Sequence, residues 1–202
     1  MWHLVICIPI FFPAHYVDDL VDNFPSPVKN YDEVPDAVTT LRRALIEAED
    51  HSMVYVSIGF LINLRDLLSA ESDRELFAKK VAMVYIMGGQ YEPESKTPEF
   101  NFGCGVWEGT ETYSHTGACG GSAKEAIEHI PDSVPVRFVG FGAGEHVWTG
   151  GSLWSWCKPR DSLRSPCYRA LVDWERRTGN KTSQTWDPLT ITAAASTATA
   201  VG

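Results

Sequence analysis

The pattern of apolar and polar positions along the chain alternates between continuous apolar runs and stretches with helical periodicity. Strands are predicted over residues 4–10, 53–58, 81–87 and 134–140. Helices are predicted over residues 36–49, 61–69 and 72–80, from about residue 122, and over residues 165–176 and 188–195. The strand runs VYVSI and VAMVYIM are apolar throughout, which is typical of parallel strands covered by helices on both faces. The pattern therefore predicts an α/β fold with a mainly parallel, Rossmann-like sheet flanked by helices.

Helix starts are indicated by capping residues. Ser72 with Glu75 and Ser122 with Glu125 have the spacing of capping boxes, which predicts that a helix begins at each serine. In TWDPL, Asp187 is predicted to cap a helix whose first residue is proline. The closing stretch AAASTATAVG is small and low in complexity, and we expect it to fray.

Composition and charge narrow the class of protein. The chain has 202 residues, of which 44% are hydrophobic and 21% charged, so it is predicted to form one globular domain over residues 1–202. Its net charge of -9 argues against a nucleic-acid partner, because no basic stretch could neutralise many phosphates. The apolar start MWHLVICIPIFF lacks a basic flank and is too short to span a bilayer, so no membrane partner is predicted. A buried strand is favoured there over a signal peptide.

Five cysteines leave the compartment open between cytoplasmic and secreted. Their number is odd, and their spacing is not that of a zinc site. In an exported protein, Cys104 could pair with Cys119 in one glycine-rich loop, and Cys157 could pair with Cys167.

The strongest local motif is MGGQYEPESKTPEFNFGCG, which directly follows an apolar strand. In parallel α/β sheets, ligands bind beyond the carboxyl ends of strands, so Met87, Gly88 and Gly89 lie where a site is expected. Glu99 and Asn101 would point the same way in an extended segment, and a carboxylate with an amide can hold a diol. A surface loop with incidental polar residues is the alternative.

Two further motifs have a structural interpretation when taken alone. SIGFLINL is a strand running into a helix, with Asn63 able to bond the local backbone. TWDPL is explained by helix capping at Asp187.

Taken together, four stretches resemble the inosine/uridine-preferring nucleoside hydrolases, in that family's order. They are VYVSIGFLINLRDLLSA, VAMVYIMGGQYEPESKTPEFNFGCG, SVPVRFVGFGAGEHVWTGG and WDPLTITAA. The resemblance covers about Tyr16 to Ala194. It implies the nucleoside hydrolase fold without its first strand segment, and calcium-assisted hydrolysis of the N-glycosidic bond of ribonucleosides. A small-molecule ribonucleoside is then the expected partner, and a homo-oligomer stays open.

The resemblance also implies roles for particular residues. Asp187 matches a calcium aspartate, and Ile58 matches a position whose backbone carbonyl binds calcium. Met87, Glu99 and Asn101 match positions that contact the ribose. Hydrogen bonds to sugar hydroxyls can strengthen as positive charge develops on the ring, which would stabilise the transition state.

The chain departs from the family in ways that put hydrolysis in doubt. Trp186 replaces a histidine that helps the base to leave, and an indole can stack on a nucleobase but is a poor proton donor. The family's DxDxxxDD cluster is missing, which indicates a truncated or degenerate member. Asp18 and Asp19 are a weaker alternative for its last two aspartates. No catalytic residue is therefore assigned.

Three hypotheses follow. The chain is a calcium-assisted N-ribosyl hydrolase that is active only if the missing aspartates come from elsewhere, or a non-catalytic relative that binds a nucleoside or sugar, or a secreted binding module held together by its cysteines. The second is favoured for this chain as it stands, because one side-chain carboxylate would hold calcium only weakly.

Overall fold

A computed structural model describes residues 21–90, 99–103, 118–150, 175, 179–180 and 182–201. The described chain divides into two compact units. The first comprises residues 35–90, 99–103, 118–145 and 186–201, and the second comprises residues 21–34, 146–150, 175, 179–180 and 182–185.

The first unit contains seven helices and three strands among the described residues. Its first half consists of α1 (Ala37–Glu47), β1 (Met53–Ser57), α2 (Ile62–Leu68), α3 (Glu71–Lys80) and β2 (Val81–Met87). Its second half consists of α4 (Phe100–Gly103), α5 (Ala118–Glu128), β3 (Val136–Val139), α6 (Phe141–Glu145) and α7 (Asp187–Val201). Helix α1 starts as the sequence predicts, because the side chain of Asp36 accepts a hydrogen bond from the Thr39 amide at 2.9 Å.

The three strands form one parallel sheet in the order β1-β2-β3. Ser57 of β1 lies opposite Ile86 of β2, and Met87 lies opposite Val139 of β3. Because all three strands run the same way, their carboxyl ends meet at one edge of the sheet. The predicted α/β class, with a parallel sheet flanked by helices, is confirmed, and the sheet is compatible with a Rossmann-like fold.

The two faces of β2 pack against different partners. Val84 and Ile86 belong to the apolar core, together with side chains from α2, α3 and α5. Side chains alternate between the faces of a strand, so Tyr85 and Met87 point to the other face. Helix α7 packs there, against β1 and β2, and the hydroxyls of Tyr85 and Thr197 share a hydrogen bond of 2.5 Å.

The two predicted capping boxes are wrong. Helix α3 begins at Glu71, one residue before Ser72, and no side chain caps it. Helix α5 begins at Ala118, so Ser122 lies inside it, and the Ser122 hydroxyl accepts a hydrogen bond from the Arg65 guanidinium at 2.5 Å. A contact with α2, distant in sequence, thus takes the hydroxyl that local spacing assigned to a cap.

Helix α7 also differs from the prediction at both ends. The Thr190 amide donates to the Trp186 carbonyl at 3.0 Å, so the helix begins at Asp187 and Trp186 occupies the capping position. The helix continues to Val201, where fraying was expected. Alanine, the best helix former, recurs along this segment and offsets the lower propensity of its threonines.

The second unit contains a short 3-10 helix (Tyr31–Glu33) and the antiparallel pair β4 (Trp148–Gly150) and β5 (Thr182–Gln184). The Thr185 hydroxyl donates to that of Thr149 at 2.7 Å beside this pair. Much of this unit lies outside the described residues, so the single domain over residues 1–202 stays a prediction. No helix in the described ranges is long and apolar enough to cross a membrane.

Several predictions concern residues that the structure does not describe. They are the strand over residues 4–10, the helix over residues 165–176 apart from residue 175, the two cysteine pairings, of which only Cys119 is described, and Asp18 with Asp19.

Candidate functional site at the carboxyl edge of the sheet

The loops that follow β2 and β3 are hydrogen-bonded to each other beyond the ends of the strands. The Gly88 amide donates to the Val139 carbonyl at 3.1 Å, and the Phe141 amide donates to the Gly89 carbonyl at 2.9 Å. Gly89 has a φ of 87°, a backbone conformation that favours glycine. These bonds fix the backbone at the edge where parallel sheets place their ligand sites.

Glu99 ties the start of α4 to this edge. The residue is 5% exposed. Its Oε1 accepts a hydrogen bond from the Asn101 amide at 2.9 Å, and its Oε2 accepts from the amides of Gly89 and Phe102 at 3.1 Å and 3.2 Å. The carboxylate therefore satisfies two amides in the first turn of α4 and one amide of the glycine loop.

Asn101 brings the same segment against the end of β2. Its Nδ2 donates to the Met87 carbonyl at 3.0 Å and lies 3.0 Å from the Met87 sulfur. Both residues are buried. The structure thus brings together the three residues for which ribose contacts are predicted, Met87, Glu99 and Asn101.

The space beside Gly88 is filled by the protein itself. A Cβ atom added to Gly88 would lie 2.4 Å from Cε1 of Phe102 and 3.2 Å from Oε2 of Glu99. The sequence predicts that Gly88 lies where a ligand site is expected. In the structure, it is the Phe102 ring that approaches Gly88.

Asp187 lies in the first turn of α7, within electrostatic reach of Glu99. Among the described residues no group donates a hydrogen bond to its carboxylate or forms an ion pair with it. Burial, together with the negative charge of Glu99, raises the pKa of Asp187 to about 6. Burial also raises the pKa of Glu99, although the three backbone amides that it accepts from oppose this shift. The site therefore holds two partly desolvated carboxyl groups.

Trp186 contacts Phe141 of α6 through a hydrogen bond and through ring stacking. Its Nε1 donates to the Phe141 carbonyl at 2.8 Å, and the two rings stack with centroids 5.4 Å apart and planes 26° apart. The indole N–H and one ring face are thus used inside the protein. The predicted contact of Trp186 with substrate stays a prediction, and it could use only the other ring face.

Ile58 follows the last residue of β1 and is buried. Because Ser57 lies opposite Ile86, Ile58 continues alongside Met87 at the same edge. All six predicted site residues therefore belong to the first unit. Sequence reasoning missed Phe102 and Phe141, whose only local signal is that each lies in a glycine-containing segment after a strand.

The calcium ion that the family resemblance implies would need several oxygen ligands at this edge. Calcium takes six to eight oxygen ligands. Both Glu99 oxygens accept backbone amides, so Asp187 is the carboxylate in the described part of the edge that has no hydrogen-bond donor. Asp187 and the Ile58 carbonyl together are fewer than the ligands that calcium takes, and calcium binding stays a prediction.

The chain matches no protein-family model, no curated protein and no solved structure. The described residues form an α/β protein with a polar candidate site at the carboxyl ends of its parallel strands. That site is built from two carboxyl groups, one amide side chain and two loops.

Proposed function

We propose that this protein is nucleoside hydrolase-like, that its carboxyl edge receives the ribose of a ribonucleoside, and that hydrolysis of the N-glycosidic bond is impaired in this chain. The observation that carries the proposal is the juxtaposition of Met87, Glu99, Asn101 and Asp187 around one sheet edge. The family resemblance names these four residues from the sequence, and they come from segments far apart in the chain.

The chemistry of the edge suits a polyhydroxylated ligand. Asp187 offers a carboxylate without a protein partner among the described residues, and such an acceptor can take the hydrogen of a sugar hydroxyl. Glu99 and Asn101 are held in place by backbone groups, so little side-chain entropy would be lost when a ligand binds. Sites for small molecules commonly place a few fixed polar groups in largely pre-formed positions.

Impairment of hydrolysis follows from the group that stands where the family has its leaving-group histidine. An indole N–H does not release its proton near neutral pH. Here that N–H is moreover donated to the Phe141 carbonyl. Without a proton donor, departure of a purine or pyrimidine loses general acid catalysis, which typically contributes about a hundred- to ten-thousand-fold.

A non-catalytic nucleoside- or sugar-binding protein is the second candidate. The same observation favours it, since the Trp186 N–H is engaged while Asp187 is not. The two candidates share the ligand and differ only in turnover, so one experiment separates them.

The experiment measures ribose release from inosine and uridine, with added calcium and with a chelator, alongside binding of the same nucleosides by calorimetry. We expect release no faster than the blank, and binding that falls by about tenfold or more in Asp187→Ala. Asp132→Ala, which changes an exposed aspartate in the turn before β3, is the matched control and should bind as the wild type does.

Two results would contradict the proposal in different ways. Chelator-sensitive ribose release lost in Asp187→Ala would show an active hydrolase and contradict the impairment. Absence of nucleoside binding at millimolar concentration would contradict the ligand class itself.

A further inference from the structure

Trp186 uses both its indole N–H and one face of its ring in contacts with Phe141 of α6. It directly precedes Asp187, the first residue of α7. Its N–H bond to the Phe141 carbonyl, at 2.8 Å, and its stacked ring attach the start of α7 to the loop after β3. The rest of α7 packs against β1 and β2 and takes no part in this attachment.

The attachment continues from Phe141 to the other carboxyl group of the site. The Phe141 amide donates to the Gly89 carbonyl at 2.9 Å, and the Gly89 amide donates to Oε2 of Glu99 at 3.1 Å. Three hydrogen bonds in sequence therefore connect Trp186 with Glu99 through the backbone of Phe141 and Gly89. This connection begins one residue before Asp187 and ends on the carboxylate of Glu99, whose charge acts on Asp187.

We propose that Trp186 is a positioning residue, which fixes Asp187 beside Glu99 through the backbone of Phe141 and Gly89. The inference rests on the proposed function in that these two carboxyl groups form its ribose-binding edge. Trp186 would thus orient the site, at a position where the family that the chain resembles has a proton donor.

A purely structural role for Trp186 predicts something different. Helix α7 is also anchored further along, where the Tyr85 hydroxyl shares a hydrogen bond with Thr197 and accepts one from Arg137 at 3.0 Å. If Trp186 only helped to dock the helix, then weakening either anchor would loosen α7 in the same general way. If Trp186 positions the site, weakening its attachment to Phe141 will reach Gly89 and Asp187, whereas weakening the Tyr85 anchor will not.

The test compares Trp186→Phe with Tyr85→Phe in the ligand-free protein. Trp186→Phe keeps a ring that can stack on Phe141 but removes the N–H donor, and Tyr85→Phe removes the hydroxyl of the other anchor. Amide hydrogen exchange is followed at Gly89 and Phe141, and the carboxyl carbon-13 resonance is followed at Asp187. Both readouts are independent of any ligand.

We expect Trp186→Phe to speed exchange at the Gly89 and Phe141 amides by about fivefold and to move the Asp187 carboxyl resonance, because one hydrogen bond of ordinary strength is lost. Tyr85→Phe should leave these three signals unchanged. Phe141→Leu, which removes the stacked ring but keeps the backbone carbonyl, should reproduce the selective pattern. It also serves if Trp186→Phe does not fold.

The proposal is overturned if Gly89, Phe141 and Asp187 are unaffected by Trp186→Phe, or if Tyr85→Phe affects them equally. Nucleoside binding by the same variants separates this inference from the proposed function. Weaker binding in Trp186→Phe alone supports both. If the wild type binds no nucleoside, the proposed function fails, and the exchange pattern still decides whether Trp186 positions the two carboxyl groups.

Discussion

The two faces of β2 show how one strand can serve two purposes. On one face, Val84 and Ile86 are completely buried among aliphatic and aromatic side chains, and this face contributes to stability through the apolar area it removes from water. On the other face, the Tyr85 hydroxyl accepts a hydrogen bond from Arg137 of β3, and the Met87 sulfur accepts one from Asn101 of α4. Contacts on the first face depend on volume and shape, whereas those on the second depend also on the direction of hydrogen bonds.

In this fold, stability and the geometry of the candidate site depend on different kinds of contact. Apolar burial is strong but non-directional, so it can hold the helices against the sheet without orienting a site. Single hydrogen bonds contribute little net free energy, yet they set the orientation of Asn101 and Glu99. Substitutions on the apolar face should therefore mainly lower stability, and substitutions on the polar face should mainly alter the edge.

The largest effect on stability is expected in the core to which the apolar face of β2 belongs. Phe77 in α3 is completely buried in the core. Phe77→Ala should lower the free energy of unfolding by about 3 to 5 kcal/mol, through lost burial and the cavity left behind. Denaturant unfolding measures this loss. Ile46→Ala, at a 62% exposed position of α1, is the control and should cost well under about 1 kcal/mol. Equal losses in the two variants would remove the basis of the comparison.

The next largest effect is expected at Gly88, where backbone and ring meet. Gly88→Ala would place a Cβ 2.4 Å from the Phe102 ring, so the ring or the loop must shift at a cost of about 1 to 3 kcal/mol. Gly121→Ala is the matched control, since the helical Gly121 has no atom within 4 Å of an added Cβ. That substitution should stabilise the protein by about 0.5 to 1 kcal/mol. Thermal unfolding of both variants distinguishes the two sites, and a harmless Gly88→Ala would contradict the close contact with Phe102.

A smaller, pH-dependent effect is expected from Asp187. Its folded-state pKa of about 6 lies above its ordinary value of 3.8, so the folded protein binds this proton more tightly than the unfolded chain. The resulting stability is fully present below pH 3.8 and is lost as the pH rises through about 6. Asp187→Asn should therefore be more stable than the wild type at pH 8 by about 1 kcal/mol after solvent screening, and equal to it near pH 4.

Unfolding measured at both pH values checks this prediction. Because burial raises the pKa of Glu99 as well, the difference between variant and wild type, rather than the wild-type profile, reports Asp187 together with its coupling to Glu99. A variant less stable than the wild type at pH 8 would show that the carboxylate has a favourable partner.

The smallest effect is expected from Tyr85→Phe. The substitution keeps the buried ring and removes the hydroxyl that accepts from Arg137 and bonds Thr197. We expect a loss of about 0.5 to 1.5 kcal/mol in unfolding free energy, with unchanged nucleoside binding. Weakened binding in this variant would mean that the two anchors of α7 are not independent.

The three strands of the parallel sheet could be predicted from the sequence because their signal is local, whereas the short strands β4 and β5 were not predicted. The apolar run VAMVYIM has the bounds of β2, Val81–Met87, and the run that begins at Met53 becomes β1 with one residue fewer than predicted. Such runs are bounded by polar residues or glycine, so no tertiary information is needed to find them. The position of the candidate site at their carboxyl ends follows from topology alone.

The contacts that shape the site could not be predicted, because they join residues far apart in the chain. Trp186 bonds Phe141 across 45 positions, and Asn101 bonds Met87 across 14. Ser122 had the spacing of a cap, but Arg65, 57 positions away, takes its hydroxyl. Local spacing cannot decide between a nearby amide and a distant guanidinium that competes for the same oxygen.

The most direct test of the proposed ribose-binding edge is a titration of the isotope-labelled protein with uridine, followed by the backbone amide resonances. We predict saturable shifts concentrated at Gly88, Gly89, Asn101 and Asp187, which Asp187→Ala abolishes and Asp132→Ala leaves intact. Absence of shifts at millimolar uridine, or shifts that Asp187→Ala does not change, would contradict it.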